Sequence, residues 1–334
     1  MNYLSGAIII TPKYIGKYKV LNIIGNGGFA TVYLAENPST KERVAIKRVN
    51  RHEIAKQHYL FYLENELRIA SRLDHPNIVK VYEIIYEQDV INIVMEYMLN
   101  GDLHSLLEAD VHFTFEEQLR FAFNILQALY YLHSRGISHR DLKPENILFD
   151  HNFNPKIADF GLSRENSSNL CTFCGTPTFM APEVIQETEY DGRKADMWAF
   201  GVTLNILVSR RYPWKNVSNE MQFIRAVRNN KLEIEIDQHA IIGDLLKKSL
   251  VIDPDARASS SYLLDHIANR QKNKCFISKL DFQRKEYQGQ FLPPLYIKNN
   301  MSSFFNNNNG IGKRLKKYNL VVRKRVIESC VNYK

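Results

Sequence analysis

Ser138-His139-Arg140-Asp141-Leu142-Lys143-Pro144-Glu145-Asn146, followed thirteen residues later by Asp159-Phe160-Gly161, is the part of the sequence that decides the fold. Taken singly, Asp141 and Asp159 read as turn residues, the commoner use of an isolated aspartate. Taken together, the two stretches set two carboxylates, an ammonium and an amide at short, fixed separations. Asn146 and Asp159 offer the oxygen ligands that hard Mg²⁺ ions prefer. Asp141 can accept a proton from a hydroxyl, and Lys143 puts a positive charge two residues away.

The order and spacing resemble the catalytic loop and metal loop of eukaryotic protein kinases, His-Arg-Asp-Leu-x-x-x-Asn and then Asp-Phe-Gly. The resemblance implies ATP and Mg²⁺ as cofactors and phosphoryl transfer as the reaction. That reaction needs positioning and charge neutralisation more than covalent help from the protein. It makes Asp141 the base toward a substrate hydroxyl, Lys143 the cation beside the γ-phosphate, and Asn146 and Asp159 the metal ligands. Lys143 within Lys-Pro-Glu-Asn is similar to the serine/threonine class.

Toward the N-terminus, strand-type residues flank Gly25-Asn26-Gly27-Gly28-Phe29-Ala30, which reads as a hairpin. With Val44-Ala45-Ile46-Lys47 behind it, the hairpin resembles the kinase phosphate-covering loop and third strand, Gly25, Gly27 and Gly28 letting backbone N–H groups approach phosphate. Ala30 stands where the family's pattern has its last glycine. By resemblance Val32 covers the adenine ring, Ala45 lines its roof, and Lys47 holds the α- and β-phosphates. Residues 53–73 carry good helix formers without Pro or Gly and predict a helix. Glu53, Glu64 and Glu66 are candidate partners for Lys47, and Glu66 fits the family's spacing to His75-Pro76-Asn77. Ile91 to Met98 predicts an apolar strand; the resemblance implies Met95 as gatekeeper, Glu96 and Met98 as backbone partners of adenine, and Asp102 on the ribose. Phe115 to Ser134 predicts a long amphipathic helix, closed by Gly136, with Phe121, Phe123, Tyr130 and Tyr131 as core.

Toward the C-terminus, Cys174-Gly175-Thr176-Pro177-Thr178-Phe179-Met180-Ala181-Pro182-Glu183 is similar to the end of a serine/threonine kinase activation segment. Thr176 resembles the threonine that bridges the catalytic Asp and Lys. Thr172 sits where many such kinases receive a phosphate, from an upstream activating kinase, and Arg140 is the expected cationic partner of that phosphate. Asp196 in Asp-Met-Trp-Ala-Phe-Gly resembles the residue that supports the catalytic-loop backbone, and Arg257 the arginine that pairs with Glu183. Cys171 and Cys174 form a lone C-x-x-C, without the second pair that a four-thiolate zinc site needs. A basic substrate residue upstream of the target hydroxyl is expected from Glu145 and Asp102, while Ile206 occupies the place of a further acidic acceptor.

The chain has 334 residues, 45% hydrophobic and 24% charged, a globular composition. Its net charge of +8 is split: residues 270–334 hold 15 Lys and Arg against 3 Asp and Glu, and the rest is net acidic. The shift marks a basic tail beginning near residue 270. Leu315, Tyr318, Val322 and Val326 fall at helical spacing among the clusters 313–317 and 323–325. The tail therefore reads as a calmodulin-type target, a membrane-surface element, an import signal or a solvated stretch, with asparagine runs expected to be disordered. A nucleic-acid-binding reading rests on this tail alone. No apolar run is long enough to span a bilayer, and residues 1–14 lack the charged start of a signal peptide. Neither end carries a myristoylation or prenylation pattern. Four cysteines read as reduced thiols of a cytoplasmic or nuclear protein.

These readings predict an α+β, two-lobed kinase-like fold. An N-terminal extension (1–17) precedes a small, mostly antiparallel β lobe (18–98) with one helix. A larger, mainly helical lobe (99–269) and the tail (270–334) follow. The expected function is serine/threonine protein phosphorylation, with a texture resembling the calcium/calmodulin-dependent and AMP-activated kinase group. The alternative is a pseudokinase scaffold, against which Lys47, Glu66, Asp141, Asn146 and Asp159 are all present.

Overall fold

The computed structural model describes residues 11–26, 30–51, 60–168, 170–171 and 174–272. Gly27, Gly28, Glu53, Thr172 and the basic clusters of the tail lie outside the described residues, as does the side chain of Glu64. The chain forms two compact units, Met1–Leu264 and Asp265–Lys334.

Six strands make one antiparallel sheet: β1 (Tyr14–Ile15), β2 (Tyr18–Asn26), β3 (Ala30–Glu36), β4 (Arg43–Asn50), β5 (Val81–Tyr86) and β6 (Val90–Glu96), in the order β1-β2-β3-β4-β6-β5. The sheet starts before Tyr18, because Ile15 of β1 is buried in its core. Strand side chains alternate between faces. One face packs Ile15, Tyr18, Tyr33, Ala35, Val44, Ile46 and Val94. The other carries Val49, Ile91 and Ile93, and against these lie Leu63 and Leu67 of helix α1 (Leu60–Ala70). The Tyr18 hydroxyl donates to Glu83 at 2.5 Å, which ties the start of β2 to β5 at the far side of the sheet.

Beyond Glu96 the chain becomes helical: α2 (Leu103–Glu108), α3 (Phe115–His133), α4 (Pro182–Gln186), α5 (Gly192–Ser209), α6 (Glu220–Arg228), α7 (Ala240–Ser249) and α8 (Ser260–Lys272). A small hairpin, β7 (Ile147–Phe149) with β8 (Pro155–Ile157), interrupts the series. Helix α3 begins in a capping box: Thr114 accepts from the Glu117 amide and Glu117 accepts from the Thr114 amide. Phe121, Ile125, Leu129 and Leu132 form its buried stripe. Tyr130, expected in the core, is half exposed because it falls outside that stripe. Helix α5 is buried nearly all round, with Trp198, Phe200 and Val202 at 0–1% exposure. Among the described residues no helix is long and apolar enough to cross a membrane.

One buried ion pair ties α4 to the loop before α8. Arg257 donates to both oxygens of Glu183, at 2.6 and 2.8 Å, and the side chains are 0% and 2% exposed. Arg257 also donates to the carbonyls of Lys194 and Val251 and lies over the Trp198 ring. Removing one partner strands the other charge in the core, at about 3–5 kcal/mol. Arg257→Ala is expected to lower the thermal midpoint by roughly 10 °C. A midpoint within ~2 °C of the parent's, read by calorimetry, refutes that weight for the pair.

Candidate active site

The sheet register gathers half of the site. Residues directly opposite in an antiparallel pair point to the same face. Gly25 pairs with Val32, Val32 with Lys47, and Ala45 with Met95. Lys47 and Ala45 share the β4 face of Val49, which packs with Leu63 of α1. Glu66 lies one helical turn beyond Leu63 and so faces the same strand. The result is the Lys47–Glu66 ion pair, Nζ to Oε1 at 2.6 Å. Lys47 also stands 3.8 Å from Asp159 Oδ1. Burial pushes the Glu66 carboxyl up from the usual range, Lys47 opposes this, and Asp159 adds to the rise.

The other half hangs from α5. Asp196, 1% exposed, accepts from the backbone amides of His139 and Arg140, both at 2.8 Å. Arg140 has φ +69°, a left-handed conformation that a non-glycine residue adopts only where its surroundings hold it. His133 Nε2 reaches the same carboxylate at 2.9 Å. The Cβ of any residue replacing Gly175 would come 2.8 Å from the Arg140 carbonyl, and Gly175 itself has φ +111°, so glycine is required there.

The turn so held presents Asp141, Lys143 and Asn146, all at 6–7% exposure. Thr176 Oγ1 donates to Asp141 Oδ1 at 3.0 Å and accepts from Lys143 Nζ at 2.8 Å. Lys143 Nζ meets Asp141 Oδ2 at 2.9 Å. Asn146 Nδ2 donates to the Asp141 carbonyl at 2.7 Å and to Oδ2 at 3.2 Å. With its NH₂ group so engaged, the amide oxygen of Asn146 is left as an acceptor. His139 Nε2 meets the Ala158 carbonyl at 3.0 Å; a carbonyl only accepts, so Nε2 carries the proton and Nδ1 takes the Asp141 amide at 3.4 Å. Asp159, next along, has φ +65°, and Phe160 is buried edge-on against the His139 ring.

Other expected residues make contacts that their sequence reading did not include. Both carboxylate oxygens of Asp102 cap α2, accepting from the Ser105 amide at 2.8 Å and its hydroxyl at 2.7 Å. Glu96 binds Lys156 of β8 through both oxygens at 2.7 and 2.8 Å. The Met98 carbonyl accepts from the Gly101 amide at 3.3 Å. Arg140 donates to the Tyr190 hydroxyl at 2.8 Å. Burial raises the Tyr190 hydroxyl far above the ordinary tyrosine range. Cys171 is exposed and Cys174 is buried. Sequence reasoning missed His133, Tyr190 and Lys156; none stands in a local pattern, and each acts through a partner more than 45 residues away.

As a whole, one hydrogen-bonded network holds the carboxylate of Asp141, the ammonium of Lys143 and the amide of Asn146, and Asp159 nearby approaches the Lys47–Glu66 pair. The model for the protein kinase domain matches residues 18–267. The serine/threonine-protein kinase kin-29 of Caenorhabditis elegans is 38% identical over 75% of this chain and 31% of its own length. CBL-interacting protein kinase 11 of Oryza sativa subsp. japonica is 36% identical over 73% of this chain and 50% of its own. CBL-interacting serine/threonine-protein kinase 12 of Arabidopsis thaliana is 34% identical over 75% and 52%. This chain thus spans about half or less of the length of these curated relatives. With the match covering both the sheet that carries Lys47 and the helical part that carries Asp141, Asn146 and Asp159, the chain belongs to the protein kinase family.

Proposed function

We propose that the protein is a serine/threonine protein kinase, transferring the γ-phosphate of ATP to hydroxyls of protein substrates. One observation carries the reading. An ionised carboxylate has about four acceptor sites, and Asp141 uses one on Oδ1, for Thr176, and two on Oδ2, for Lys143 and Asn146. Oδ1 keeps one site, on a carboxylate whose rotamer three donors fix. That site accepts the proton of a serine or threonine hydroxyl as its oxygen attacks phosphorus. Lys143 supplies positive charge beside the phosphate, and Thr176 holds base and lysine in register.

The residues present fit nucleotide and magnesium. Asp159 and the Asn146 amide oxygen are oxygen donors of the kind Mg²⁺ takes beside phosphates. Among the described residues no group of three or more His, Cys, Asp or Glu could cage a metal alone, which suits an ion held partly by substrate. Gly25 has neither positive φ nor a clash to require it, since an added Cβ would meet Val32 at an ordinary 3.5 Å. Close approach of a phosphate accounts for glycine there. Mg²⁺, when bound, neutralises and orients the phosphates. Lys47, held by Glu66, bonds phosphate oxygens, while Val32, Ala45 and Met95 flank the base and the backbone of Glu96 and Met98 runs along its edge.

Asp141→Asn is expected to lower turnover on a serine/threonine peptide library by ~10²–10⁴-fold with nucleotide affinity nearly unchanged. Near-normal turnover removes Asp141 from its role. Nucleotide binding without any transfer by the parent protein favours the scaffold reading instead.

Nucleotide affinity depends on Glu66 being charged. Its carboxyl is raised, so it protonates at a higher pH than an ordinary glutamate, and Lys47 then loses its partner. Affinity is expected to fall on acidification above the usual carboxylate range. A raised group favours the fold at low pH and loses that contribution as pH rises through its folded value, so stability moves the opposite way. Calorimetry across pH on parent and Glu66→Gln checks this; equal pH profiles refute it.

For substrate choice, Glu145 and Asp102 are the candidates; Asp102 uses two of its acceptor sites to cap α2 and keeps the others. Burial, and further the charges of Glu145 and Glu220, raise the Tyr212 hydroxyl, which accepts from Thr178 Oγ1 at 3.4 Å. A basic residue about three before the target hydroxyl fits that acidic rim. Thr172 is the proposed phosphorylation site through which Arg140 orders the segment. Paired peptides with Arg or Ala upstream, assayed on parent and Thr172→Ala after treatment with an activating kinase, test both. Equal rates on the peptides end the basic preference, and full activity of the variant ends the role of Thr172.

A further inference from the structure

Glu165, six residues past Asp159, is absent from the chemistry above, yet it joins the two parts of the site. Its carboxylate accepts from the guanidinium groups of both Arg68, in α1, and Arg72, just past its end. Residues four apart on a helix lie one above the other. Arg72 Nε is in turn fixed on the Arg68 carbonyl at 3.0 Å. The bond from Arg68 holds the Glu165 carboxyl below the usual carboxylate range, so it is charged at neutral pH.

Both ends of this link are anchored. On the helix, Arg68 is two residues past Glu66, which puts them on different faces: one faces Lys47, the other Glu165. On the segment, Arg164 immediately precedes Glu165 and exchanges both backbone hydrogen bonds with Ser138, at 2.9 and 3.0 Å. Ser163 Oγ donates to the His139 carbonyl at 3.3 Å. The chain of contacts therefore runs from the loop that carries Asp141, through residues 163–165, to the helix that carries Glu66.

We propose that Glu165 is a positioning residue, which clamps helix α1 through Arg68 and Arg72 in the place where Glu66 meets Lys47. Its effect on catalysis rests on the kinase reading; the clamp itself does not. The three side chains are part-exposed, 28% for Glu165 and 51% and 58% for the arginines, so the clamp is weak and sensitive to salt. A helix held less firmly is competent a smaller fraction of the time, and apparent nucleotide affinity falls by that fraction.

The test compares the parent chain with Glu165→Gln and with the charge-swapped variant Glu165→Arg/Arg68→Glu/Arg72→Glu. Without nucleotide, hydrogen exchange of the α1 backbone amides is expected to quicken about 3- to 10-fold in Glu165→Gln and to slow again in the swap. With nucleotide, KM for ATP is expected to rise by a similar factor while kcat stays within about twofold. Raising salt from ~0.1 to ~1 M, which cuts the screening length from ~10 to ~3 Å, should bring the parent toward the variant. Unchanged α1 exchange in Glu165→Gln, or a swapped variant no slower than Glu165→Gln, overturns the clamp. If the parent transfers no phosphate, the kinase reading fails, and the exchange measurement still decides the clamp.

Discussion

The Asp196 carboxylate is the constraint on which the site depends. Helix α5 buries it almost fully, and it is stable there because three donors, two backbone amides and His133, take the place of water. The same bonds hold Arg140 at a backbone conformation that costs about 1–3 kcal/mol elsewhere. Without that turn, Asp141 would not face Thr176, and Lys143 would not reach both. The strain is thus met by a helix buried nearly all round, which is why a loop can hold a carboxylate and an ammonium 2.9 Å apart at 7–8% exposure.

The sheet reaches its half of the geometry by other means. The alternation of β4 and the spacing of α1 suffice to bring Lys47 to Glu66. The sheet and the residues leading into it meet the part below through the Glu96–Lys156 pair and the bond from the Val79 amide to the Ile157 carbonyl. The proposed Glu165 clamp adds a tie on the side where Lys47 and Asp159 approach each other.

The catalytic turn was legible in the sequence because its chemistry leaves little freedom: a base, a cation and oxygen donors must sit within a few residues. The Glu183–Arg257 pair and the Thr176 bridge were legible only through the resemblance, since nothing local links residues 74 or 35 positions apart. Asp102 carries a local signal that the sequence reading passed over. An aspartate before Leu-His-Ser is an ordinary helix cap, and that local bond takes both its oxygens in the structure. Tyr130 was misplaced because aromatic content was read without its angular position on α3. Glu165 gave no signal at all: its partners lie 93 and 97 residues away, and their meeting is a product of the tertiary fold.

The ion pairs of this protein divide by burial, and the division follows what each must do. Glu183–Arg257 is dry and bidentate, so breaking it leaves a charge without water and the pair stays closed. Glu165 meets its arginines where solvent competes, so forming and breaking that link changes free energy little. A buried pair between α1 and the activation segment would fix the Lys47–Glu66 geometry permanently. An exposed one biases it by a few-fold, which leaves the final position of the helix open to nucleotide, salt and modification of the segment nearby. The dry pair thus fixes α4 to the loop before α8, and the solvent-exposed Glu165 link joins α1 to the segment after Asp159.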